Sequence, residues 1–343
     1  MSNTKKRALI IAAICIVLGF LVSYFAFSSD DLDWDSVNTV TQLEPVRYPV
    51  KEAFRDIHVE AGSGSVRLLP SEDGKCSVVC LEAENIVYTV EVKNDTLTVK
   101  REDRRTAKQL VGIQLGSKQE DIQLYLPEES YRDLELESAS GELKVPDDFS
   151  FETAALSSRS GDLSYAANAA ASVTLTAASG EIHVSGVETG AFRAESSSGD
   201  IKLKSIIADS VTVSSTSGEL ELEAVDAQDV QGKSNSGKQT YRDLTAETLN
   251  TESSSGEQEL KNVVLTGAAV LRSTSGDIEL ERCDAASFII NTNSGEVEGS
   301  LLSAKDFETH SNSGSIRVPD SDRSAGVCEI RTTSGDIEIR IAD

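Results

Sequence analysis

Aromatic side chains are scarce in this chain, at 5% of 343 residues, and there are only three histidines. With 39% hydrophobic residues and so few rings, the core must be thin and built from Val, Ile, Leu and Ala. Positive charge is also short: 32 Lys and Arg against 57 Asp and Glu give a net charge of −25. Such a surface excludes nucleic acid and flat docking on anionic lipid, and tolerates divalent cations or basic partners. Cysteine is sparse too. Cys76 and Cys80 bracket one strand-like run, where their Cα atoms would lie about 13 Å apart, too far for a disulfide. Zinc would find no His or further Cys near them in sequence, and Cys283 and Cys328 fall in apolar columns described below.

A long apolar run without charge, residues 8–27, holds Cys15 and follows Lys5, Lys6 and Arg7. Twenty helical residues span about 30 Å, the thickness of a hydrocarbon core. Basic residues precede the run and Asp30, Asp31, Asp33 and Asp35 follow it. The expectation is a cytoplasmic tail (1–7), a transmembrane helix (8–27), an acidic spacer (28–47) and a body outside the cell. A cleaved signal peptide is the competing reading, but Tyr24, Phe25 and Phe27 are bulky where cleavage needs small residues.

Helical periodicity is missing from residues 134–339, and no Asn-Gly or Asp-Gly hairpin dipeptide occurs there. What is present is Ser-Gly at eleven regularly spaced positions, Gly141, Gly161, Gly180, Gly199, Gly218, Gly237, Gly256, Gly276, Gly295, Gly314 and Gly335. The spacing stays near 19 residues, the mark of a repeat architecture. Counting each glycine as zero, position −7 is apolar throughout, from Leu134 to Cys328. Positions +2 and +4 are apolar with few exceptions, and +7 adds Val187, Ile206, Val225, Leu244, Val263, Cys283 and Leu302. The local period is 2, hence strand. One tight and one looser corner per repeat suit a winding chain, so the fold class expected is an all-β parallel β-solenoid of about eleven 19-residue coils (134–343). The glycine either takes positive φ or stands where there is no room for Cβ. Residues 48–133, strand-like but irregular, read as an amino-terminal cap with diverged coils, Gly62–Ser65 among them. The charge run 101–108 reads as a solvated loop, with a basic docking patch as the alternative.

The stretch Tyr125-Leu126-Pro127 leading to Ser140-Gly141-Glu142-Leu143, together with Ser-Gly-Asp-Ile at Gly199, Gly276 and Gly335, resembles the membrane-anchored putative-adhesin family with β-strand repeats. The resemblance covers about residues 48–343. It implies an extracytoplasmic β-solenoid of the cell envelope, without catalytic residues and without a defined ligand. The roles it suggests are an adhesin-like binding or structural module or, alternatively, an accessory of envelope-stress signalling acting on a membrane partner.

The residue after the glycine is acidic in nine coils: Glu142, Asp162, Glu181, Asp200, Glu219, Glu257, Asp277, Glu296 and Asp336. Stacked near 5 Å apart, these carboxylates repel unless splayed, screened, protonated or bound to cations. Calcium is the one cofactor such a ladder suggests; a solvated acidic edge is the plainer reading. Serine nucleophiles would need a base, yet His58, His183 and His310 are far apart in the repeat register. A carbohydrate-active enzyme would break the repeat with a singular acid–base cluster. The most irregular coils, with Lys238, Gln239, Arg242, Asp243 and Gln258, show none, and the two inward glutamines are expected to bond to each other.

Overall fold

The computed structural model describes residues 43–104 and 121–342. The expected tail, transmembrane helix and most of the spacer, with residues 105–108 of the charge run, lie outside the described residues. Among the described residues no helix is long and apolar enough to cross a membrane. Residues 43–103 and 119–343 group into one compact unit, and its described part is all β.

That unit is the expected parallel β-solenoid. Each central coil has three paired runs. In the Gly199 coil these are a long run before the glycine, from Ala191 to Ser196, a run from Ile201 to Lys204, and a short one from Ile206 to Ala208, each in register with the next coil. Apolar side chains at −7, −5, +2, +4 and +7 point inward and make one continuous core. Two corners stay unpaired. At +6 the chain turns through left-handed backbone, at Gly186, Ser205, Ala224, Asp243, Asn262 and Arg282, with φ from 51° to 68°. Five of these six are not glycine. Most of their side chains face solvent, so the strain of that conformation, about 1 kcal/mol each, brings no clash.

The Ser-Gly corner is tight for a different reason. None of the eleven glycines has positive φ. A Cβ on Gly199 would stand 1.9 Å from the carbonyl oxygen of Gly180, and one on Gly237 would stand 1.8 Å from that of Gly218. The glycines form a close-packed column of backbone in which any side chain collides with the coil before it. The hydroxyl at −3 completes the corner by accepting the glycine N–H: Ser158 from Gly161 at 2.7 Å, Ser196 from Gly199 at 2.8 Å, Thr332 from Gly335 at 3.0 Å. Only the Gly180 coil, with Ala177 at −3, lacks this bond.

The column also reveals the axial order, which is not the chain order at either end. Strands β1 (Glu44–Pro49), β2 (Asp56–Glu60), β3 (Ser65–Pro70), β4 (Ser77–Glu82), β5 (Ile86–Lys93), β6 (Thr96–Asp103), β7 (Asp121–Leu126), β8 (Ser130–Ser138) and β9 (Leu143–Val145) build the amino-terminal end. The coil of β2 and β3 lies between β6–β7 on one side and β8–β9 on the other. Gly64 heads the glycine column beneath Gly141, so the diverged repeat is a true coil. Beyond it, β4 and β5 run antiparallel to β7 and β6, and β1 antiparallel to β4, which covers the parallel edge.

At the other end the last coil, Val327–Thr332 with Ile337–Ile341, is slotted between the Gly295 coil and the Gly314 coil. Side-chain apolarity explains the exchange. The last coil offers Cys328, Ile330, Ile337 and Ile339, all buried, whereas the Gly314 coil offers Phe307, Thr309 and Ser311, half-buried, and Ile316, exposed. Burying an isoleucine rather than leaving it open is worth about 1.5–3 kcal/mol, so the richer coil goes inside. Cys328 also separates Phe288 from Phe307 in the −7 column. The Gly314 coil is then terminal among the described residues, and Ser321 guards its edge by accepting the Phe307 N–H at 2.8 Å and donating to its carbonyl.

One inward assignment is corrected. Leu302, at +7 of the Gly295 coil, is exposed, and Leu301 is buried opposite Cys283 in its place. This coil drops a residue at its corner through a register shift near Gly299.

Candidate functional site

The nine ladder carboxylates are brought onto one line, and the axial order shows a pattern that chain order hides. Reading Glu142, Asp162, Glu181, Asp200, Glu219, Lys238, Glu257, Asp277, Glu296 and Asp336, glutamate and aspartate alternate, with Lys238 standing in one aspartate's place. Each aspartate is short enough to accept the backbone N–H of the next coil's corner: Asp162 from Glu181, Asp200 from Glu219, Asp277 from Glu296 and Asp336 from Ser315, at 2.7–2.9 Å. The longer glutamates splay outward, and three meet cations: Glu142 with Arg67, Glu181 with Lys202, and Glu257 with Lys238. The repulsion is thus relieved by hydrogen bonds, splaying and ion pairs. Among the described residues no group of three or more His, Cys, Asp or Glu side chains is placed to hold a metal ion.

Nucleophile candidates are committed elsewhere. Where the −1 serines hydrogen-bond, they donate to carbonyls of the neighbouring coil, as Ser255 does to Asn235 and Ser275 to Ser254. His58 lies between Glu135 and Glu60, and His310 bonds Asn312. The four cysteines among the described residues are free thiols, and burial pushes Cys80 and Cys328 up to about 12 and Cys283 to about 11.

The irregular coils hold a buried, hydrogen-bonded polar cluster. Gln239 and Gln258 are neighbours in register yet do not bond to each other, contrary to the sequence expectation. Each amide nitrogen donates at 2.7 Å to a carbonyl of the following coil, Gln239 to Glu252 and Gln258 to Arg272. Each amide oxygen accepts a hydroxyl from the interior, Tyr241 and Thr251 respectively. All four residues are fully buried. A polar group that deep must find partners inside its own coil pair, since unmet it costs about 1–3 kcal/mol.

The site that could receive a ligand lies at the second unpaired corner, ten residues after the glycine. An open groove of about 1140 Å³ follows that corner from Ser130 and Arg132 to Asp226 and Gln228. Its floor is the buried column of Tyr131, Phe151, Thr189, Ala208 and Ala227. Glu188, Ile207 and Asp226 stand on one side, and Glu152, Asp209 and Gln228 on the other. Midway, a β-bulge places Ala170 and Ala171 opposite single residues of the adjoining coils. Their carbonyls press toward Gly190, where a Cβ would lie 2.8 Å from the Ala171 oxygen. Two alanines and a glycine leave the wall low there, and Ile207 is 56% exposed beside it. Sequence reading missed this groove: the bulge at Ala170 and Ala171 falls between Gly161 and Gly180, whose spacing is regular, so the glycine at 190 was its one mark.

The fold and groove define a repeat-built β-solenoid that presents a long concave surface. The chain belongs to the Toastrack DUF4097 family, which matches residues 54–224 and 271–343. Among solved structures it is similar to a "putative adhesin" of Bacteroides fragilis, 14% identical over 87% of this chain and 97% of that one, with a TM-score of 0.39. It is also similar to a "putative lipid binding protein" of Parabacteroides distasonis (15% identity, 84% and 97% covered, TM-score 0.42). A "putative adhesin" from the same organism matches at 13% identity, with 76% and 97% covered and a TM-score of 0.49. No curated protein matches.

Proposed function

We propose that this chain is a non-catalytic binding module displayed outside the cell, held by a single membrane span at 8–27 with its amino terminus in the cytoplasm, and that the groove is its contact surface. The observation that carries the reading is the groove. It crosses six coils, about 25–30 Å at the rise of stacked strands, and its floor is made of fixed, buried side chains. A surface of that length suits an extended partner better than a small substrate. The run of twenty uncharged residues after three basic ones supports the anchor.

Cells producing the full chain test the reading. Protease added to intact cells should remove the body, and those cells should gain adherence to surfaces coated with envelope glycans or matrix proteins. A body protected from external protease, or adherence equal to that of cells lacking the chain, would contradict it.

A further inference from the structure

We propose that the groove receives a basic, extended polypeptide segment. This rests on the groove being the contact surface and names the chemistry of its occupant. Charge is placed unevenly over the solenoid. On the face just after the glycine column the solenoid neutralises itself: Lys202 pairs with Glu181, Lys204 with Glu223, Arg242 with Glu221 and Glu259, Lys261 with Glu281. Four acids of the groove have no such pairing. Glu152, Glu188, Asp209 and Asp226 are exposed, and among the described residues none of them meets a lysine, arginine or histidine. Asp209 accepts only the Gln228 amide.

The groove's own cations, Arg55 and Arg132, sit at one end, and Arg132 is bound to Asp56 and Asp133. Four unneutralised carboxylates therefore line a concave track, with an apolar step at Ala170, Ala171 and Ile207 between them. Carboxylates facing each other across a groove with a protein floor act on a cation more strongly than scattered ones, because the walls exclude part of the water that would screen them. A chain with alternating side chains can direct lysines to the rails and an aliphatic group to Ile207. An anionic or neutral polymer meets four charges it cannot match.

A fluorescein-labelled nonapeptide of four lysines, four serines and one isoleucine, titrated with the full chain in non-ionic detergent, tests this by anisotropy. A twin with glutamates for lysines is the control. The basic peptide should bind, more weakly as salt rises, and the acidic twin should not. Replacing the rail charges (Glu152→Gln, Glu188→Gln, Asp209→Asn, Asp226→Asn) should weaken binding about tenfold or more. The same charge change elsewhere (Glu219→Gln, Glu296→Gln, Glu298→Gln, Glu308→Gln) should alter it by less than about twofold. Equal weakening by both sets would assign the attraction to overall charge and overturn the proposal, as would no binding of the basic peptide. If that peptide fails while Ala171→Trp still abolishes adherence of whole cells, the occupant is wrong and the groove reading stands. If Ala171→Trp leaves adherence intact, the groove reading itself fails.

Discussion

The hydroxyl of Tyr241 fills the space that a side chain on Gly232 would need. A Cβ on Gly232 would lie 1.7 Å from that oxygen, which donates at 2.7 Å to Gln239. The glycine, tyrosine and glutamine belong to one coil and form a single packing unit across its interior. Gly232→Ala should therefore destabilise by about 1–3 kcal/mol through overpacking, and Tyr241→Phe by about 1–3 kcal/mol by leaving the glutamine oxygen unmet. Denaturant melts of the two single variants and the double should show sub-additive losses, because the phenylalanine relieves part of the clash. Full additivity would mean that the two positions are independent.

The corner hydroxyls supply a natural control. Ser196→Ala removes the acceptor of the Gly199 N–H and should cost about 1 kcal/mol. Ala177→Ser should gain up to about the same amount, since Gly180 alone lacks a −3 hydroxyl. Thermal melts check both signs. A loss in the second variant would show that the −3 oxygen does not serve the corner.

Stacking by apolarity rather than by chain order can be read from disulfides. Asn291 lies in register with Arg331, and Arg331 with His310. The first pair should be about 5 Å apart at Cα, while Asn291 and His310 are two coils apart, about 10 Å, beyond bridging distance. Asn291→Cys with Arg331→Cys should oxidise readily, and Asn291→Cys with His310→Cys should not. The opposite outcome would restore the chain order.

Lys305 fastens the exchanged end. Its buried ammonium donates to Asp284 at 2.7 Å and to the Ala285 carbonyl at 2.6 Å, reaching past the slotted coil to the one beneath. Partial burial pushes the Asp284 carboxyl up, but hydrogen bonds from Lys305 and Ser303 outweigh it and hold the group below the usual carboxylate range. A depressed folded value means stability present above the unfolded pKa, near 4, and lost as pH falls through the folded one. Asp284→Asn should cost about 3 kcal/mol at neutral pH by leaving the ammonium unpaired. The gap from the unaltered chain should narrow below about pH 4; a gap constant with pH would separate the carboxylate from this role.

Much of the fold was legible because a solenoid writes one coil many times. The −7 column from Leu134 to Cys328 and the Ser-Gly spacing fixed the winding, the inward faces and the acidic line. The axial order was not legible, since every coil carries the same register and can stack on any other; only the relative apolarity of the coils around Gly314 and Gly335 tells them apart. The left-handed corner was hidden because Ser205, Ala224, Asp243 and Arg282 adopt it with their side chains in solvent, so no glycine signal marks it. The groove was hidden for a similar reason. It is made by what Ala170, Ala171 and Gly190 leave out, and an absence of bulk has no periodicity.

Adherence of cells carrying Ala171→Trp measures the main functional claim most directly. Ala171 is exposed in the groove, so an indole there blocks the track without entering the core. The account predicts adherence reduced to that of cells lacking the chain, with Ala155→Trp, exposed on another face, adhering like the unaltered protein. Undiminished adherence with the groove blocked would contradict it.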